Sequence, residues 1–160
     1  MEFGSGWSSL VMAHALMINR QKFFKNIGNL RKKNIFELYS IENEKKYLRI
    51  TKSRNIKYLK EFKKNINYHF SNCKMTKFNG RFCTEYEKLP LINPDLIYLD
   101  GPDQFKIKKN VNGINLNHQD MMPMACDILK FEYFYIPGTI IVIDGRAANA
   151  KFLKDNFKRK

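Results

Sequence analysis

Four acidic residues stand where proteins commonly do chemistry: Glu2 ahead of a Gly-Ser-Gly turn, Glu42 ending "LYSIE", Asp100 ending "LIYLD" and Asp144 ending "IIVID". A carboxylate there can accept a hydroxyl hydrogen bond, attract a cation or move a proton. Gly4 and Gly6 allow a tight turn and close backbone approach, and a helix beginning behind them offers free N–H groups and a positive dipole end. One Asp after an apolar run is usually a turn former. Four acids at equivalent positions point instead to one shared crevice. Arg146 in "DGRAANA" is able to hold a carboxylate or phosphate, helped by Asn149 one turn on, or else to solvate its own loop. His118 and Asp120 in "NLNHQD" belong to a loop that could cover the crevice, although a histidine of this kind commonly faces water. His14 falls on an apolar helix face and His69 has no evident partner.

These residues need elements to bring them together. Apolar spacing predicts a helix from about Ser8 to Lys25, and "IFELYSI" from Ile35 to Ile41 reads as a strand. A second helix is expected from Asn43 to about Phe62. "INYHFSNC" and "RFCTEY" read as short strands around a turn at Asn79-Gly80, with no secure place for a third strand of the main sheet. Leu96 to Leu99 is a continuous apolar run that suits a strand covered on both faces. Asn110 to Gln119 should be loop, Asp120 to Phe134 helix, "TIIVID" strand, and Ala147 to Phe157 the final helix. Strands and helices in alternation imply a mostly parallel twisted sheet with helices on both faces, so the class is α/β and the strand ends share one edge.

With 160 residues and 44% hydrophobic content, the chain has material for a single cored domain. No run approaches a membrane span and the start lacks a secretory layout, so the expectation is a cytoplasmic protein with no membrane partner. Cys73, Cys83 and Cys126 show no metal-ligand spacing; buried thiols are expected, with a Cys73–Cys83 disulfide the other option. The net charge is +14, but lysines dominate and are spread along the chain. That distribution favours solvated helix faces over a polyanion groove, leaving nucleic acid a possible partner that is not favoured.

The dinucleotide fingerprint fails here, because Ser9 stands where a third glycine belongs and Glu42 lies 38 positions beyond Gly4. "EFGSGWSS" resembles instead the first motif of class I S-adenosylmethionine-dependent methyltransferases. "LYSIE" is similar to their second strand, "PDLIYLDGPD" to the fourth, and "YIPGTIIVIDGR" to the fifth with its Pro-Gly entry. The resemblance implies a Rossmann-like fold and S-adenosylmethionine as cofactor. Glu2, Gly4, Ser5 and Gly6 would then line its methionine and ribose side, and Glu42 would take the ribose. Asp100 and Gly101 would lie near the transferred methyl group, while Asp144, Arg146 and His118 would face the acceptor. Asp100 and Asp144 are the polar groups expected to act in transfer, and a small molecule or glycan is the favoured acceptor. No metal is expected, since Asp144-Gly145 stands where metal-dependent relatives carry Asp-Asn. Against the family, most of the first strand and the last two strands are missing, so a fragment is expected. An inactive binding or assembly domain and a basic RNA-modifying protein are the rival readings.

Overall fold

The computed structural model describes residues 1–28, 30–122 and 124–159. Its centre is a five-stranded sheet built from β1 (Glu2–Phe3), β2 (Leu38–Glu42), β3 (Ile66–Phe70), β6 (Leu96–Leu99) and β8 (Ile140–Ile143). All neighbours are parallel, in the order β3-β2-β1-β6-β8. A second, small sheet holds β4 (Cys73–Phe78) between its antiparallel hairpin partner β5 (Arg81–Tyr86) and the parallel β7 (Ile107–Lys108). The hairpin turns at Asn79 and Gly80, both at positive φ, as a two-residue loop between twisted strands demands.

The expected gap at the middle of the sheet is bridged by a very short strand. Glu2 pairs with Ser40 on one side and Tyr98 on the other, and Phe3 with Ile41 and Leu99. The backbone N–H groups of Tyr98 and Asp100 donate to Met1 and Phe3 carbonyls at 3.0 and 2.9 Å. Two residues thus satisfy both flanking strands where an empty slot would orphan their polar groups.

Alternation along the strands feeds two cores. Leu38 and Ile66 turn towards α1 (Trp7–Phe23) and α2 (Lys45–Tyr58), packing with Ala13, Leu59 and Phe62. Phe3, Ile41, Ile97 and Leu99 turn the other way, onto the hairpin, α3 (Asp127–Lys130) and α4 (Ala147–Asn156). Burying each large side chain contributes roughly 1.5–3 kcal/mol. Helices therefore cover one face, and the second face is covered by the small sheet together with two helices.

Several boundaries differ from the sequence reading. The strand expected from Ile35 begins only at Leu38, because Phe36 adopts a left-handed φ of 57°. The missing third strand is Ile66–Phe70, in register with β2 so that Phe70 stands beside Glu42. The helix expected over Asp120 to Phe134 contracts to the single turn of α3, followed by a 3₁₀ turn at Glu132–Phe134. Pro123, inside the expected span, lacks a backbone donor and disfavours helix in the residue before it; it lies outside the described residues. Leu96, Ile140 and Val142 are exposed, so β6 and β8 are covered on one face rather than two. All three cysteines are buried and free.

Candidate functional site

At the carboxyl edge of the sheet the chain passes from β1 into the glycine turn. Glu2 is fully buried and its carboxylate accepts hydrogen bonds from the hydroxyls of Ser8, Ser9 and Ser40 at 2.6, 2.5 and 2.7 Å. Ser9 also accepts from the Gly6 N–H at 3.2 Å. Burial raises the Glu2 carboxyl above its ordinary range, and the three hydroxyls pull it back. Glu2 therefore lies behind the turn, beside the start of α1, and fixes the turn's shape from beneath instead of lining the open side.

The two glycines of the turn do different work. Gly4, at φ +88°, packs backbone to backbone against the loop after β6: a Cβ on Gly4 would come within 2.8 Å of the Gly101 nitrogen. A Cβ on Gly101 would come within 2.6 Å of both the Gly4 nitrogen and the Tyr86 hydroxyl. Only glycine at both positions lets the ends of β1 and β6 approach this closely. Gly6 is different. Its φ of −168° suits any residue, and an added Cβ would meet only Ser8 Oγ, at 3.9 Å.

In front of the turn is an open cleft of about 340 Å³, lined by Gly4, Ser5, Glu42, Asp100, Gly101 and Arg146 among others. Glu42 is 3% exposed. One of its oxygens accepts from Ser5 N–H and Oγ at 2.8 and 3.1 Å, the other from the Asn43 and Glu44 N–H groups at 2.8 and 2.9 Å. Burial pushes this carboxyl upward as well, against those bonds. Asn43 then clips the β2 end to the β6 loop: its side chain donates to the Asp103 carbonyl at 3.0 Å and accepts from the Asp103 N–H at 2.8 Å.

The rim is held by side chains. Arg146 donates from Nη1 to the Gly101 carbonyl at 3.0 Å and from Nη2 to the Asp100 carbonyl at 2.8 Å. It thereby ties the β8–α4 loop to the β6 loop, where the sequence left open whether it would only solvate. Partial burial raises the Asp100 carboxyl, Arg146 lowers it, and Asp144 adds to the rise. Asp144 accepts from the Tyr98 hydroxyl at 2.9 Å, and burial followed by this bond pushes the Tyr98 phenol up to about 12. Asn149 is buried in α4, and among the described residues its side-chain amide has no hydrogen-bond partner. The His118 side chain is exposed and turned towards Asp120; only its backbone carbonyl reaches the cleft, by accepting from Gln104 Nε2 at 2.8 Å. The edge thus gathers Gly4, Ser5, Glu42, Asp100, Gly101 and Arg146 into one lining, with Glu2 supporting it from behind, Gly6 beside it at the open start of α1, and Asp144 and His118 outside.

Sequence reasoning missed Asn43, Tyr47, Asp103 and Phe105. Tyr47 and Phe105 both line the cleft and both are about half exposed. Asp103 was legible as a cap: its carboxylate accepts from the Phe105 N–H at 2.9 Å, the pattern of an acid immediately before a helical turn. Among the described residues no cluster of three or more His, Cys, Asp or Glu could hold a metal ion, and no helix is long and apolar enough to cross a membrane. No family model, curated protein or solved structure matches the chain.

Proposed function

We propose that the chain is a methyltransferase that binds S-adenosylmethionine in the cleft in front of Gly4–Gly6. The observation that carries this reading is electrostatic. In a chain of net charge +14, the cleft is lined by three carboxylates, Glu42, Asp100 and Asp103, against one cation, Arg146. A dinucleotide pyrophosphate would meet repulsion there; a sulfonium nucleoside with an ammonium group would meet attraction.

The residues present fit such a ligand. Gly6 leaves space at the start of α1 that no contact of the chain itself requires, so the methionine part has room beside the turn. Glu42 would accept ribose hydroxyls, which would compete first with its longest bond, from Ser5 Oγ. Tyr47 and Phe105 offer apolar ring faces to a flat base. When bound, the cofactor supplies an activated methyl group. The chain's own part is to align an acceptor and to take its proton, for which Asp100, with its raised carboxyl, and Asp144 beyond it are the groups available. Arg146 would orient an acceptor, with a small molecule or glycan as the acceptor class read from the sequence.

Thermal-shift titration with S-adenosylhomocysteine, NAD and a random oligonucleotide tests this. At about a hundred times its dissociation constant a ligand stabilises by about 2.7 kcal/mol, so the nucleoside thioether should raise Tm by about 5–10 °C and NAD should not. An equal response to NAD, or none to the thioether, would sink the proposal. Binding of the thioether with no transfer to any acceptor would support the inactive binding domain instead.

A further inference from the structure

Helix α2 and the 3₁₀ turn after it, Lys60–Asn65, carry nine Lys and Arg between Lys45 and Lys64 against a single acid, Glu61. Among the described residues none of the nine lies within 4.0 Å of a carboxylate, whereas Lys74, Lys106, Lys130 and Lys151 all do. Nine of the 29 basic residues are thus concentrated on this one helical segment, where the protein's own acids leave their charge intact.

Exposed rings stand among these cations. The Arg54 guanidinium lies 3.9 Å from the centroid of the Trp7 ring, Lys45 5.0 Å from that of Phe70 and Lys57 5.2 Å from that of Tyr58. Trp7 is 65% exposed and Tyr58 58%. Trp7 opens α1, Lys45 opens α2 and Phe70 closes β3, so all three belong to the carboxyl edge of the sheet. Tyr47, in the first turn of α2, lines the cleft itself. The basic, ring-bearing surface is thus continuous with the candidate site.

We propose that α2, with Trp7 and Phe70, is a docking track for a single-stranded nucleic acid, leading along the helix to the mouth of the cleft. Unpaired cations bind phosphates and release counterions, and bases stack on exposed rings at about 1–3 kcal/mol each. A duplex keeps its base faces buried, and a membrane surface calls for a continuous apolar face; on the outward side of α2, Ile50 and Ile56 are separated by Lys and Arg. The track works by charge and stacking alone and does not depend on the cofactor reading. Where both hold, the strand is the methyl acceptor, in place of the small molecule or glycan expected from the sequence.

Trp7 is the only tryptophan, so its fluorescence reports this surface directly. The full chain is titrated with single-stranded RNA and DNA of about 20 nucleotides, with heparin, and with phosphatidylglycerol vesicles. The expected result is quenching of Trp7 by the single strands and a loss of affinity of at least about tenfold between about 50 and 200 mM salt. Lys46→Gln, Arg49→Gln and Lys52→Gln together should weaken binding about tenfold or more, while Lys77→Gln, Lys151→Gln and Lys154→Gln together change it less than about twofold. All six side chains are exposed, and circular dichroism checks that both triple variants fold. Equal losses in the two variants, heparin binding as tightly as the single strands, a preference for vesicles, or no binding of the oligonucleotides would each overturn the proposal.

Discussion

The centre of the strand edge and its rim are built by opposite means. At the centre, the ends of β1 and β6 touch backbone to backbone through Gly4 and Gly101, above the buried Glu2 and its three serines. At the rim, Asp144 accepts one bond from Tyr98, Arg146 donates two to loop carbonyls and the His118 ring accepts one from the Asp120 N–H, all through exposed or half-exposed side chains. The centre leaves no room for change because a displaced backbone must carry the sheet with it. The rim can change because a lost side-chain bond is replaced by water.

The largest effect that would sharpen this contrast comes from Gly101→Ala. Its methyl group would meet backbone and the Tyr86 hydroxyl at 2.6 Å, and we expect a loss above about 3 kcal/mol in urea unfolding. Gly6→Ala, two residues from the same contact, should cost only about 0.5 kcal/mol while weakening S-adenosylhomocysteine binding on the proposed function. Similar losses at the two glycines would break the comparison.

Next in size is a pH effect from the layer beneath the centre. Asp127 is buried, accepts the Tyr86 N–H at 2.9 Å, and burial pushes its carboxyl up to about 7, against that bond. Since the folded protein holds this proton more tightly than the unfolded chain, the stability it contributes is complete below about pH 4 and is lost as pH rises to about 7. Glu2 and Glu42, also raised by burial, act in the same sense. Thermal unfolding should therefore give a higher Tm at pH 5 than at pH 8, with Asp127→Asn flattening the slope. An unchanged slope in that variant would remove Asp127 as its source.

Substitution of the two glutamates separates scaffold from lining. Glu2→Gln leaves one serine hydroxyl without its acceptor and should cost about 1–2 kcal/mol. Glu42→Gln should lower S-adenosylhomocysteine affinity about tenfold, measured by calorimetry. At the rim, Arg146→Met should cost about 1 kcal/mol or less, and His118→Ala should leave Tm within error. A Tm drop in His118→Ala as large as that in Glu2→Gln would show that the rim is structural after all.

The parts of this site that could be read in the chain are those whose chemistry is local. "LIYL" and "IIVI" marked strands because apolar runs between turn residues have few other conformations, and Asp100 and Arg146 followed as the residues just beyond them. The strand character of "INYHF" was legible, since apolar and polar residues alternate there, but its place as the third strand of the main sheet was not; that is fixed by pairing with β2, a partner far away in sequence. The helix read over Asp120 to Phe134 failed for a related reason, since apolar spacing there serves contacts with the hairpin rather than a helical face.

By itself, then, the order of residues determined the α/β class, the glycine turn and the acids at the strand ends, because backbone preference and hydrophobic period act over a few residues. Tertiary structure alone decided that Gly4 serves a backbone contact with Gly101 while Gly6 does not, that Glu2 faces inward and Glu42 the cleft, and that the rings of Trp7 and Phe70 stand beside the cations of α2. Each of these depends on which distant segment becomes a neighbour, and the information for that choice is spread over the whole packed chain.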